Sequence, residues 1–275
     1  MSSISGIGKN SRIKLGKVLT HCKSKLITPD KVVDVLQITK LQARRLLQYW
    51  EKNGWLYRIR RGLYQPLPLE ADNSKTVIED PWIVAHKLFS PCYIGGWSAV
   101  EFWDFTEQIF QTVIVVTSRR FSQRDFKVDD IHYRLKMTSE ESFFGLKNIW
   151  RGNIKVQVAD PSKTIIDLLN DPLLGGGMRA IIDFFKQYLR SDHKSLTTLL
   201  EYGNMMNNRT IFKRLGFIIE SLQPLETDFI DECKHRISKG RSQFDPTIKG
   251  TNFIPTWSLL IHKAFCGLDK EELYD

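Results

Sequence analysis

Cysteine is scarce in this sequence. The four present (Cys22, Cys92, Cys233 and Cys266) lie too far apart to form a CxxC pair. That spacing supports neither a zinc site nor a disulfide framework, and it fits a reducing compartment. Long apolar runs are absent as well: nothing approaches the roughly 18 residues that a membrane-spanning helix requires. The opening MSSISGIGKN lacks the apolar core of a secretory signal, so a cytoplasmic protein with no membrane partner is expected. The six histidines are scattered and form no HxH or HExxH, and neither GxxxxGK[ST] nor GxGxxG occurs. These absences leave no cofactor, metal site or catalytic residue to expect.

Negative charge is also short in one place. Residues 1–70 hold 14 Lys and Arg against 4 Asp and Glu, whereas the other 205 residues hold 26 against 27. The whole excess behind the net charge of +9 therefore lies in the N-terminal quarter. Such asymmetry points to a small module built for a polyanion and attached to a nearly neutral body. A basic, disordered tail is the plain alternative, but residues 11–68 alternate apolar and polar positions too regularly for one.

Within that module, Ile13, Leu15, Val18 and Leu19 predict a first helix over Ser11–Cys22. Thr28-Pro29-Asp30 opens a second, over Pro29–Leu36, with a capping threonine, a proline in the first turn and an early acid. Thr39-Lys40-Leu41-Gln42 reads as a capping box for a third helix over Lys40–Lys52, with Ala43, Leu46, Leu47 and Trp50 as its apolar stripe. Asn53-Gly54 ends that helix, and the period then drops to two through Trp55-Leu56-Tyr57-Arg58-Ile59-Arg60. Gly62 turns the chain, and Leu63-Tyr64-Gln65 returns before Pro66 and Pro68.

Three short helices followed by a hairpin predict a winged helix-turn-helix. The fold expected is α+β, with this domain over residues 1–68, a polar linker over 69–80 and a larger mixed α/β domain over 81–275, helix-rich in its second half. On the third helix, Lys40, Gln42, Arg44, Arg45 and Gln48 are placed against DNA, because Arg and Gln pair bidentately with guanine and adenine edges. Lys14, Lys17 and Lys31 are assigned to phosphates, and Arg58, Arg60 and Arg61 on the wing to phosphates or a narrow minor groove. Trp50, Trp55 and Tyr57 are read as core.

In the body, Pro81–Phe89 reads as a helix, Thr112–Thr117 as a strand, and Ile131–Lys136 and Ile154–Val158 as weaker strands. Ser98 to Glu101 reads as a second capping box. Helices are expected over Pro161–Leu169, Met178–Leu189, Lys194–Tyr202, Arg209–Leu222 and Asp228–Ile237, and strand character around Phe253–His262. Gly175-Gly176-Gly177 reads as a flexible loop or an anion site at a helix start. Arg119, Arg120 and Arg124 form either a second basic patch or a solvated strand end. Glu79, Asp80, Asp160 and Asp167 are the acids a metal-dependent nuclease would draw on, but no E-x-K strand accompanies them.

Several stretches together resemble one family. They are Tyr93-Ile94-Gly95-Gly96-Trp97-Ser98-Ala99-Val100-Glu101-Phe102-Trp103, then Thr106-Glu107-Gln108 and Val113–Thr117. With them go Arg61-Gly62-Leu63-Tyr64, the run from Asp160 to Leu169, Asp245-Pro246 and Gly250…Trp257. In this order they resemble the abortive-infection AbiEi-type antitoxins across nearly the whole chain. The resemblance implies a bacterial antitoxin whose winged helix represses its own operon and whose C-terminal domain opposes a nucleotidyltransferase toxin. It implies no catalytic residues. A monomer in solution, with two copies on an inverted repeat of operator DNA, is the expected assembly. A ligand-sensing regulator and a winged-helix nuclease are the rival classes.

Overall fold

The computed structural model describes residues 8–21, 26–60, 62–66, 80–128 and 131–266. Helix α1 (Lys9–His21) buries Leu15 and Val18, but Ile13 falls on the outer face and is half exposed. Helix α2 (Pro29–Leu36) starts as its sequence dictates: Thr28 is extended, and its hydroxyl accepts the Lys31 N–H at 3.4 Å. Gln37, with φ 52, ends that helix in the left-handed region. Helix α3 (Lys40–Lys52) opens on a complete capping box. Thr39 Oγ1 accepts the Gln42 N–H at 3.3 Å, and Gln42 Oε1 accepts the Thr39 N–H at 2.9 Å.

The buried stripe of α3 is Ala43, Leu47 and Trp50, packed with Leu15, Val18, Val32 and Leu56 in one small core. Strands β1 (Leu56–Arg60) and β2 (Leu63–Pro66) pair antiparallel with an irregularity between Arg58 and Arg60. Gly62 makes the turn with φ 85, a region that side chains rarely enter. Ile27 adds a bridge to Tyr64, with N–H···O bonds of 2.7 and 2.9 Å that fasten the hairpin to the start of α2. Three helices and this hairpin make the N-terminal unit a winged helix-turn-helix. Leu26 and Leu63 share a buried cluster with Ile83, Val84 and Leu88 of the body.

The body is built on a six-stranded mixed sheet. In chain order come α4 (Pro81–Phe89), β3 (Cys92–Ile94), α5 (Gly96–Phe102), β4 (Thr112–Thr117), β5 (Asp125–Val128) and β6 (Ile131–Met137), then β7 (Leu146–Arg151) and β8 (Ile154–Ala159). The strand order is β5-β6-β4-β3-β8-β7, with β4–β6 and β3–β8 parallel and the other pairs antiparallel. Strand β4 is buried on both faces: Ile114 joins the helical core, while Val113 and Val115 join the cluster under α4. Strands β3, β5 and β7 have no expectation in the sequence. One has three residues, and the other two lie at the sheet edges, where apolar alternation is weak.

Past the sheet, α6 (Pro161–Asn170), α7 (Met178–Arg190), α8 (Leu196–Met205), α9 (Thr210–Leu222) and α10 (Thr227–Arg236) form the helix-rich half. A small second sheet of β9 (Ser242–Gln243), β10 (Asn252–Ile254) and β11 (Leu259–Ile261) closes over them. Arg214, buried on α9, ties the two together by donating to the carbonyls of Leu169, Gln243 and Phe244 at 2.6, 3.0 and 2.9 Å. Burial pulls its pKa down to about 10. The molecule is α+β, with a winged helix-turn-helix ahead of a larger mixed domain.

Two local expectations need correction. The capping box at Ser98 does not form, because α5 starts two residues earlier, at Gly96. The Ser98 hydroxyl instead accepts the Ile114 N–H at 3.0 Å, and Glu101 accepts the Phe110 N–H at 3.3 Å. Gly96 allows this early start: φ is 54, and a side chain there would meet the Leu174 carbonyl oxygen at 2.6 Å. Nor is the glycine triplet a loose loop. Gly175 and Gly177 are buried, and the Asp245 carboxylate accepts the Met178 N–H at 2.8 Å. The protein's own anion occupies that helix terminus.

Candidate nucleic-acid interface

Residues at i, i+3, i+4 and i+7 share one face of a helix. On α3 that face carries Leu41, Arg44, Arg45 and Gln48, all exposed, while Ala43, Leu47 and Trp50 hold the opposite face in the core. Arg44, Arg45 and Gln48 make no hydrogen bond or ion pair with any described residue. Two cations and an amide therefore stand free on a helix whose start is fixed by the Thr39 cap and whose back is fixed by Trp50.

Other residues of the expected set are already engaged. Lys40 pairs with Asp30 of α2 at 2.7 Å, with both side chains more than half exposed. The Gln42 amide oxygen is spent on the capping box. Lys31 is half-buried, and its backbone joins the Thr28 cap. Lys14 and Lys17 lie exposed on α1.

Arg58, on the wing, sits opposite Tyr64 and is half-buried. Burial raises the Tyr64 phenol above its ordinary value, with Arg58 opposing the rise and Glu51 adding to it. Arg60 ends β1, with its side chain outside the described residues, where Arg61 and positions 67–79 of the linker region also lie. Sequence reasoning missed the Lys40–Asp30 pair, because the two residues stand on separate helices.

The body holds a second group of charged residues, and it is sealed. Lys163 is fully buried on α6, pairs with Asp167 one turn on, and donates to Tyr93 Oη at 3.2 Å. Tyr93 donates in turn to Asp167 at 2.8 Å. Burial, and then the Asp167 carboxylate, push the Tyr93 phenol well above its ordinary value. Asp160 caps α6 through the Lys163 N–H at 2.7 Å and accepts from Tyr202 at 2.8 Å. Asp160 and Asp167, two of the four acids considered for nuclease chemistry, thus have protein partners. Asp80 caps α4 and faces Arg151 at 3.7 Å, and Glu79 lies outside the described residues. Among the described residues, no three His, Cys, Asp or Glu side chains converge as a metal site would require.

A cleft of about 430 Å³ opens between α4 and α5, floored by Trp82, Phe102 and Phe110 and edged by Asp80, Glu101 and Arg151. The Arg151 guanidinium stacks 4.5 Å above the Trp82 ring.

Comparison with solved structures shows a likeness in fold. A crystal structure of the RV2827C protein from Mycobacterium tuberculosis matches 94% of this chain and 93% of its own, with a TM-score of 0.58 and 10% identity. At that identity the likeness shows the fold alone, and it spans the winged helix and the body together. No protein-family model matches the sequence. No curated protein matches it either. Among the described residues, no helix is long and apolar enough to cross a membrane.

Proposed function

We propose that this protein is a DNA-binding repressor of its own operon and the antitoxin of a toxin–antitoxin pair. It acts in the cytoplasm by binding rather than by catalysis. The observation that carries the DNA half is the free Arg44/Arg45/Gln48 face on a capped helix, within the module that holds the chain's whole excess of positive charge. In this reading Arg44, Arg45 and Gln48 read base edges, while lysines and wing arginines displace counterions from phosphates. The antitoxin half rests on the resemblance to AbiEi-type proteins, which makes a nucleotidyltransferase toxin the functional partner. Two monomers meet on an inverted repeat.

Six candidate phosphate contacts (Lys14, Lys17, Lys31, Arg58, Arg60 and Arg61) predict a slope of about −5 in log affinity against log salt. Titrating upstream DNA of the gene at several ionic strengths measures it, and a salt-independent affinity sinks the proposal. Arg44→Ala and Arg45→Ala relax sequence preference, whereas Arg60→Ala weakens all sequences alike. Co-expression with the neighbouring gene, scored by growth, tests the antitoxin half. The aromatic-floored cleft beside α4 favours one second reading, a ligand-sensing regulator. A small molecule that alters operator affinity without any toxin partner would establish that reading instead.

A further inference from the structure

We infer that Leu41 packs against the C5-methyl group of a thymine in each operator half-site. This inference rests on the DNA-binding reading above. An exposed leucine is by itself ordinary, and the surroundings of this one set it apart. In a helix-turn-helix, the N-terminal residues of the second helix contact base edges. In the first turn of α3, Lys40 is held by Asp30, Gln42 by the capping box, and Ala43 by the core. Leu41 is the side chain that remains, 59% exposed and, among the described residues, outside the buried cluster of this domain and the side chains packed against it.

Leu41 also stands on the face that presents Arg44, Arg45 and Gln48, three, four and seven residues on. A face of two guanidinium groups and an amide matches the acceptors and donors of purine edges. Thymine is the base that offers an apolar group in the same groove, and leucine complements it. Three residues of helix advance about 4.5 Å, and a base-pair step is about 3.4 Å. The thymine therefore lies within about two base pairs of the base that Arg44 reads.

The test begins with selection of bound duplexes from a random library by the full chain. Each thymine of the selected half-site is then replaced by deoxyuridine, which removes the methyl group and leaves base pairing intact. At one position, deoxyuridine weakens wild-type binding about fourfold, the effect of exposing one buried methyl. That position loses its sensitivity in Leu41→Ala and keeps it in Leu41→Met. Because Leu41 is exposed, both variants unfold at the wild-type denaturant midpoint. Retained operator binding with no such thymine, or sensitivity that persists in Leu41→Ala, overturns the inference and leaves the DNA reading standing. Failure to enrich any sequence overturns both.

Discussion

The ion pair between Lys40 and Asp30 gives the repressor reading its sharpest test, because Asp30 holds an intramolecular counter-charge on a residue placed against DNA. Asp30→Asn frees Lys40. Both side chains are more than half exposed, so the pair itself contributes at most about 1 kcal/mol to stability. Asp30 also sits in the first turn of α2, where an acid is worth about 0.3–1 kcal/mol against the helix dipole. The variant should therefore lose no more than about 2 kcal/mol of folding free energy and remain folded.

DNA binding should move further. One additional phosphate contact steepens the log–log salt dependence by about 0.9. Between 50 and 200 mM salt, wild type and variant then diverge about 3.5-fold more than wild type alone predicts. Fluorescence anisotropy on operator duplex at four or five ionic strengths resolves a difference of that size. Asp34→Asn is the control, since it removes the same charge from the same helix without releasing a lysine from an ion pair. An unchanged slope in Asp30→Asn, or an equal change in both variants, would show that Lys40 does not reach phosphate.

Other outcomes follow from the caps and the buried charges. Thr39→Ala removes the cap of α3 and should cost about 1 kcal/mol in denaturant unfolding, with DNA affinity falling alongside. Lys163→Met strands the buried Asp167 carboxylate and should cost about 3–5 kcal/mol, while Lys163→Met combined with Asp167→Leu recovers much of it, as chemical denaturation will show. His86 titrates below its ordinary value, from burial first and Lys87 second. As pH falls below about 6.5, the unfolded state takes up that proton before the native state does, so stability declines; melting temperatures from pH 7.5 to 5 should show a shallower decline in His86→Gln.

The sequence determined the local punctuation of this protein, because caps and turns are written in residues a few positions apart. Thr28, Thr39 and Asp160 start their helices as their side chains dictate, and Gly62 turns the wing. The winged helix-turn-helix was legible for the same reason, as its core repeats at helical and then strand spacing over some 60 residues. Ser98 failed as a cap because its preferred partner, the Ile114 N–H, lies 16 residues away on a strand.

Only tertiary structure decided which polar side chains are spent and which are free. Tyr93 meets Asp167 across 74 positions, Arg214 reaches carbonyls on two separate segments, and Asp245 caps a helix 67 residues before it. On α3, spacing places Lys40, Arg44, Arg45 and Gln48 together, yet it was packing that paired Lys40 with Asp30 and left Leu41 exposed. Periodicity assigns a residue to a face; whether that face stays open depends on what distant parts of the chain bring against it.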